Sequence, residues 1–234
     1  MKRFFGLKVG DCLVFDEGEA GHIRQVLRMK VGDEIIGCVN DEYDYFCTLT
    51  EIGKTRAVAK IDRVSKNLAI PQKEIVLFLA LPKREYFETI VTKSVELGVG
   101  RIVPFASSFS VCKEFKRSRL EQIVLTACKQ CERSILPRVE DVAKFDDMLK
   151  ALAGFDCVVF ANEREEKDVN FVDLKLDAKK RIAVIVGCEG GFDKAEIDKI
   201  LSAGVCSVSL GKRILRCDTA SVAMLSVINV LSGN

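Results

Sequence analysis

Three segments late in the chain combine glycines, carboxylates and arginines in a way that could serve chemistry. They are residues 160–164 (FANER), 187–192 (GCEGGF) and 210–219 (LGKRILRCDT). Glycines let a backbone approach a ligand closely and adopt positive φ. The second segment lacks the G-x-G-x-x-G spacing of a dinucleotide loop and the Gly-Lys-Ser/Thr of a Walker loop. A dinucleotide or nucleoside triphosphate site is therefore disfavoured, and another ligand is expected.

Each of these segments follows a predicted strand or its end. The strands are predicted at residues 157–160, 181–186 and 207–210, and their residues are short, mostly apolar runs, as in buried parallel strands. Ligands of open parallel sheets bind where the carboxyl ends of the strands meet. The three segments are therefore expected to surround one pocket.

The rest of the C-terminal part alternates apolar strands with amphipathic helices. Further strands are predicted at 75–81 and 101–105, and helices at 85–97, 119–133, 146–152, 193–203 and 218–231. Gly98 is a natural C-cap, and Asp193 with Glu196 forms a capping box. This pattern predicts an α/β domain with a mostly parallel sheet.

The N-terminal part is β-rich instead. Strands are predicted at 12–15, 34–39, 45–49 and 55–64, separated by Gly and Asp turn signals. One amphipathic helix is predicted at 20–29, with Ile23, Val26 and Leu27 on one face. The polar residues 65–73 contain Pro71 and are typical of a linker. Two domains are therefore predicted, at residues 1–68 and 72–234.

Composition excludes several classes of protein. The chain has 234 residues, ten cysteines, one histidine and a net charge of +2, so any affinity for nucleic acid must come from local clusters. Residues 101–138 hold such a surplus, with eight basic and three acidic residues. The scattered cysteines, without a secretory signal, predict reduced thiols in the cytoplasm. No apolar run predicts a membrane helix, and no metal site is expected because Cys128-x-x-Cys131 stands alone.

Five motifs resemble those of the 16S rRNA (uracil-N3)-methyltransferase family of the SPOUT class. They are His22–Arg28 (HIRQVLR) with 31–33 (VGD), Lys93–Val99 (KSVELGV) with 102–104 (IVP), Ala127–Arg133 (ACKQCER) with 136–137 (LP), 185–192 (IVGCEGGF) with Glu196, and 210–220 (LGKRILRCDTA). The likeness covers nearly the whole chain. Cys188, Cys217 and Asp218 depart from the Pro, Thr and Glu of the family pattern.

The resemblance implies a fold, a reaction and partners. The fold would be an N-terminal PUA-like β-barrel and a C-terminal SPOUT α/β domain with a parallel sheet and a C-terminal trefoil knot. The reaction would be methylation of N3 of a uridine in 16S rRNA by S-adenosylmethionine, within the small ribosomal subunit. The protein would act as a homodimer in the cytoplasm, without metal or membrane.

The resemblance also assigns residues. Arg216 would stabilise the uracil anion, because a guanidinium stays charged and cannot act as a base, and Glu163 or Glu189 would accept the proton. The cofactor would be held by Phe160, Ala161, Asn162, Glu163, Val186, Gly187, Glu189, Gly190, Gly191, Leu210, Gly211, Ile214, Leu215, Arg216 and Thr219. RNA would be held by Arg3, His22, Arg24, Arg28, Lys83, Arg84, Lys93, Arg133 and Arg213.

Other interpretations remain open at this point. The chain could be a SPOUT methyltransferase acting on another RNA, or a non-catalytic RNA-binding ribosome-assembly factor whose pocket has decayed through its three departures. The glycine segment could be a plain turn, and Asp218 or Thr219 a helix cap. The basic run could be a solvated helix face, and His22 a hydrogen-bonded residue at the domain seam.

Overall fold

The computed structural model describes residues 1–163 and 171–234. These residues form two units, one of residues 1–70 and 128–136 and the other of residues 71–127 and 137–234. The units differ from the predicted domains mainly in the segment 128–136, which groups with the N-terminal residues.

Six strands form the sheet of the N-terminal unit, in the order β1-β4-β5-β6-β3-β2. The strands are β1 (Lys2–Phe5), β2 (Leu7–Val9), β3 (Cys12–Phe15), β4 (Glu34–Cys38), β5 (Tyr43–Ile52) and β6 (Ala57–Lys66). β1 pairs with β4 in parallel and the other pairs are antiparallel. Alternate side chains build the core, among them Phe4, Leu13, Phe15, Ile35 and Leu49.

Sequence analysis missed β1 and β2. They lie at opposite ends of the strand order, yet Gly6 alone separates them in the chain. The Gly6 N–H donates to the Cys38 carbonyl, and a Cβ at Gly6 would lie 2.7 Å from the Val14 carbonyl oxygen. Only a residue without a side chain fits this close passage between the two strands.

The predicted helix at 20–29 is wrong in its bounds and its face. The helix α1 spans Glu17–Gly21, with Asp16 as N-cap, and continues as a π-helical turn at His22–Val26. The Leu27 N–H donates to the His22 carbonyl, five residues back. Because this wider turn rotates the following residues, Ile23 is buried while Val26 is exposed.

The segment 128–136 is held to the N-terminal unit by hydrogen bonds to backbone groups. Ser134 Oγ donates to the Asp41 carbonyl, and the Leu136 N–H donates to Asn40 Oδ1. Asn67 Nδ2 donates to the Glu132 carbonyl. These partners are distant in sequence, so local patterns could not predict the grouping.

A parallel sheet forms the second unit, in the order β10-β8-β7-β12-β11-β13, with β9 also paired to β8. Its strands are β7 (Glu74–Ala80), β8 (Arg101–Ala106), β9 (Arg138–Val139), β10 (Ala143–Lys144), β11 (Cys157–Ala161), β12 (Arg181–Val186) and β13 (Cys206–Val208). All these pairs are parallel, so the predicted α/β class with a parallel sheet is confirmed.

Helices connect these strands. They are α2 (Arg84–Glu96), α3 (Arg117–Gln130), α4 (Phe145–Ala151), α5 (Lys194–Ser202) and α6 (Cys217–Ser232), with 3₁₀ turns at Leu152–Gly154, Phe171–Leu174 and Leu176–Ala178. Gly98 has a φ of +82° just after α2, and the predicted capping box of Asp193 and Glu196 is present at α5. No helix of the described residues is long and apolar enough to cross a membrane.

Candidate active site

One cavity opens where the carboxyl ends of β11, β12 and β13 meet. It encloses about 740 Å³ of empty space, including the open space at its mouth. Its walls are Phe160, Ala161, Asn162, Glu163, Val186, Gly187, Cys188, Glu189, Gly191, Phe192, Ile197, Leu210, Gly211, Arg213, Ile214, Leu215, Cys217 and Ala220. The three segments singled out from sequence therefore line one cavity. Arg164, at the end of the first of them, lies outside the described residues.

Residues 187–192, which we call the glycine loop, form a tight turn after β12. The Gly191 N–H donates to the Cys188 carbonyl over 2.9 Å, and Gly191 has a φ of +68°, which favours glycine. A Cβ at Gly187 would lie 3.1 Å from both Gly191 Cα and the Phe192 ring. A side chain at Gly187 would therefore require Gly191 or the Phe192 ring to shift by a few tenths of an ångström.

Glu189 fastens the glycine loop to the start of α2. Its Oε1 accepts a hydrogen bond from the Lys83 N–H over 3.0 Å, and Lys83 is the N-cap of α2. Carboxylates favour this position because the first N–H groups of a helix have no partner within it. Glu189 thus has a structural partner, although its side chain is exposed on the cavity wall.

Asn162 and Glu163 form the wall that follows β11. Asn162 is buried, its N–H donates to the Val208 carbonyl, and its Nδ2 donates to Ser207 Oγ over 3.2 Å. The Glu163 carboxylate faces the glycine loop, since a Cβ at Gly191 would lie 3.5 Å from Glu163 Oε1. An acidic group is therefore present at the cavity beside the positive φ turn.

The β13–α6 loop, residues 209–216, forms the opposite wall. Gly211 has a φ of +104°, and its N–H donates to Ser209 Oγ. Ile214 lies on the wall yet is 83% exposed, so the loop offers an apolar surface to whatever enters. Sequence analysis predicted such an apolar wall from Ile214 and Leu215.

Arg216 ends this loop and is the N-cap residue of α6. Its side chain is exposed and makes no hydrogen bond or ion pair with the described residues. The interpretation of Asp218 or Thr219 as the cap is wrong. Asp218 instead accepts a hydrogen bond from the Thr219 N–H in the first turn of the helix.

Burial raises the pKa of the Cys217 thiol to about 12, with nearby Glu189 and Asp218 adding to the effect. This thiol on the cavity wall is therefore neutral at pH 7 and is not a prepared nucleophile.

Three predicted cofactor residues are not on the cavity wall. They are Gly190, Arg216 and Thr219. A Cβ at Gly190 would meet Phe109 rather than the cavity, at 2.9 Å. Sequence analysis also missed wall residues, namely Cys188, Phe192, Ile197, Cys217 and Ala220. Their signal was weak because each is a small or apolar residue of a kind that also fills cores.

Some of the residues predicted to bind RNA have exposed side chains, and others are buried or paired. Lys83, Arg28 and Arg213 are exposed. Arg3 and Arg133 are buried, at 8% and 4% exposure. Arg3 pairs with Asp44, so the structure corrects its expected place on an open face.

The remaining predicted RNA-binding residues are engaged locally. Arg84 pairs with Glu88 and Lys93 with Glu96 within α2. His22 packs edge-on against Phe4 at 5.9 Å, and Arg24 is half-buried in the same turn. The ring contact places His22 against its own unit.

The basic surplus of residues 101–138 is smaller in space than in sequence. Carboxylates from elsewhere neutralise four of its members, in the pairs Arg101–Glu74, Arg117–Asp141, Arg119–Glu88 and Lys129–Glu19. Lys113, Lys116 and Arg138 remain exposed without ion pairs to the described residues. The acidic partners lie outside the segment, so a local count of charge could not reveal them.

Among the described residues, no group of three or more His, Cys, Asp or Glu side chains is placed to hold a metal ion.

Comparison with known proteins gives the class and then the family. Residues 69–229 match the RNA methyltransferase domain, and residues 15–62 match the RNA methyltransferase PUA domain. The chain therefore contains a PUA domain followed by an RNA methyltransferase domain. The chain belongs to the family of ribosomal RNA small subunit methyltransferase E, as the resemblance in sequence predicted.

Two relatives and one solved structure illustrate this likeness. Ribosomal RNA small subunit methyltransferase E of Bacillus subtilis is 32% identical, over 90% of this chain and 87% of that protein. The protein of that name from Mesomycoplasma hyopneumoniae is 31% identical, over 97% and 98%. The crystal structure of the Neisseria gonorrhoeae protein of that name, bound to S-adenosyl methionine, has a TM-score of 0.89 and 27% identity, covering 99% and 98%.

Proposed function

We propose that this chain transfers a methyl group from S-adenosylmethionine to N3 of a uridine in 16S ribosomal RNA of the small subunit. The observation that carries the proposal is the meeting of three loops around one cavity in a chain of this family. A relative with 27% identity over nearly the whole chain was crystallised with S-adenosyl methionine.

The cavity suits this cofactor. It is a concave site between three loops and opens to solvent, as small-molecule sites commonly do. Phe160, Phe192 and Ile197 supply apolar surface, while Asn162 and the carboxylate of Glu163 supply polar groups for an amino acid moiety. Gly187 has no side chain, so backbone alone forms that part of the cradle. When bound, S-adenosylmethionine supplies an electrophilic methyl group on a sulfonium sulfur.

The protein must hold uracil near the methyl group and help N3 to lose its proton. Neutral N3–H has no free lone pair, so attack needs the imide anion. Arg216 stabilises that anion by its positive charge, since its guanidinium is exposed beside the cavity residues Leu215 and Cys217. We assign the role of accepting the N3 proton to Glu163 rather than Glu189, because Glu189 already accepts a hydrogen bond from the Lys83 N–H.

The finer features of the fold are part of the proposal. Gly6 links β1 and β2, which are the two edge strands of the six-stranded sheet. This direct link between the edges favours a closed barrel. β13 lies at the sheet edge, while the following α6 contacts β12 and α2; this path supports a trefoil knot. We propose domains at residues 1–68 and 72–234.

We propose that the protein forms a homodimer in the cytoplasm. α6 supports pairing, because Val230 is 78% exposed and Val222 and Val227 are only half-buried. RNA would be gripped by the exposed basic residues Arg28, Lys83 and Arg213. Sedimentation of the full chain tests the dimer, and a single monomeric species contradicts it.

Nucleoside mass spectrometry of 16S rRNA tests the function. Cells lacking the protein are expected to lose 3-methyluridine, and the cloned chain is expected to restore it. Titration of the purified chain with S-adenosylmethionine is expected to show binding. Unchanged 3-methyluridine would overturn the assigned reaction, and absence of binding would favour the non-catalytic assembly factor.

Gly187→Val is expected to weaken S-adenosylmethionine binding by about tenfold or more, because a side chain there presses on Gly191 and Phe192. Gly190→Val is expected to weaken it less, since that Cβ meets Phe109. Calorimetric titration measures both, with thermal unfolding as a check on the fold. Wild-type affinity of Gly187→Val would remove the glycine loop from the cofactor site.

Glu189→Gln is expected to lose less activity than Glu189→Ala. The amide oxygen of glutamine still accepts the hydrogen bond from the Lys83 N–H, whereas alanine leaves the Lys83 N–H without this partner. Glu189→Ala is therefore expected to lower the rate of methyl transfer by about tenfold. Methyl-transfer kinetics on 16S rRNA measure both variants. Equally large losses would instead identify Glu189 as the proton acceptor.

A further inference from the structure

Phe109 lies half exposed beside the mouth of the cavity. All 14 phenylalanines of the chain are among the described residues, and only Phe109 is exposed, at 46%. It follows β8, and its Cβ would lie 2.9 Å from a Cβ at Gly190. Glu189 and Gly191 on either side of Gly190 line the cavity, whereas Phe109 does not. The ring therefore borders the mouth without entering it.

The loop that carries Phe109 is fastened on both sides of the ring. The Ser108 N–H donates to Glu196 Oε1 over 2.7 Å, and Glu196 is itself buried and also accepts from the Asp193 N–H. The Ser107 N–H donates to Ser110 Oγ, and the Ser110 N–H donates back to the Ser107 carbonyl. The ring is thus held towards solvent, and a ligand that covers it has little ordering entropy to offset.

The surroundings of Phe109 fit RNA. Val111, two residues on, is 77% exposed and extends the apolar surface. Lys113 and Lys116 follow in the same segment, exposed and without ion pairs to the described residues. Aromatic side chains bind unpaired bases by stacking, and lysines bind the phosphates that connect those bases.

We propose that Phe109 stacks on an unpaired RNA base next to the methylated uridine and so helps to select a single-stranded target. The ring lies outside the cavity, so the base it covers is a neighbour of the base that enters. This inference rests on the proposed function, since it takes the cavity to receive uridine. It assigns Phe109 to substrate recognition and not to the methyl transfer itself.

Phe109→Trp provides a direct test, because the chain contains no tryptophan. The indole then reports on position 109 alone. Titration with 16S rRNA from cells lacking the protein is expected to quench its fluorescence, over the same concentrations at which RNA binds on a filter. Full RNA binding without quenching would overturn the proposal.

Kinetics provide the second test. Phe109→Ala is expected to raise the KM for RNA by about tenfold without changing the affinity for S-adenosylmethionine, and Phe109→Trp to keep a low KM. Leu201→Ala is the control and is expected to change KM little, because this exposed apolar side chain lies on α5 and off the cavity wall. An unchanged KM for Phe109→Ala, or a change of oligomeric state in sedimentation, would overturn the assignment. The latter result would mean that a second copy covers the ring.

The two hypotheses fail separately. If the unaltered chain forms 3-methyluridine but Phe109→Trp shows no quenching, stacking is wrong and the methyltransferase stands. If the unaltered chain forms no 3-methyluridine, the proposed function is wrong, and with it this inference.

Discussion

Arg216→Ala is expected to lower kcat for methyl transfer by about 10²–10³-fold, the usual cost of removing one group that stabilises a developing anion. Arg216 lies between the cavity residues Leu215 and Cys217, and its exposed guanidinium is not committed to a described carboxylate. The amino end of α6 adds positive potential at this position. Single-turnover methylation of 16S rRNA measures the effect.

Neighbouring substitutions make this test specific. Lys212→Ala removes an exposed charge from the same loop, off the cavity wall, and is expected to cost far less. Arg216→Lys keeps the charge but loses the planar fork, so an intermediate rate is expected. The affinity for S-adenosylmethionine and the unfolding temperature of Arg216→Ala should stay near those of the parent chain. Near-parental kcat in Arg216→Ala would refute the electrostatic role.

Arg3→Ala is expected to destabilise the N-terminal unit by about 3–5 kcal/mol, the usual cost of breaking a buried ion pair by removing one partner. Arg3 makes two hydrogen bonds to Asp44, one of them 3.0 Å long, and one to Cys38 Sγ at 3.1 Å. Asn67 Nδ2 also donates to Asp44. Without Arg3, the buried Asp44 carboxylate would keep only the amide as a partner in this cluster.

Denaturant unfolding of the full chain measures this loss of stability. Lys2→Ala, one residue away and exposed, is the matched control and is expected to change stability by less than about 0.5 kcal/mol. The RNA-binding interpretation of Arg3 predicts the opposite pattern. Unchanged unfolding with weakened RNA binding in Arg3→Ala would restore that interpretation.

Much of the second unit could be predicted because its signals are local. The continuous apolar run of β7 identifies a strand buried on both faces, and the capping box identifies the start of α5. The N-terminal unit was harder. β2 has three exposed residues, so it carries no burial pattern, and the π-helical turn at His22–Val26 shifts the period on which helix prediction depends.

The candidate site shows the same division. The glycine loop and the β13–α6 loop stood out because their glycines and arginines are unusual after strands. The sequence could not show that a side chain at Gly190 would point towards Phe109 rather than into the cavity. Phe109 is 81 residues away and contacts Gly190 only in the folded chain. The same holds for Glu189, whose partner is the Lys83 N–H.

By itself, the sequence determined the α/β class, the three loops of the cavity and the family. These depend on short-range periodicity, on turn residues and on motif spacing, all of which can be read along one stretch of chain. Only the tertiary structure decided which charges are free. Arg3, Arg101, Arg117, Arg119 and Lys129 resemble the exposed basic residues in sequence, but carboxylates brought from distant segments neutralise them. A charge is available to a ligand only if folding leaves it unpaired, and pairing is a property of distance in space.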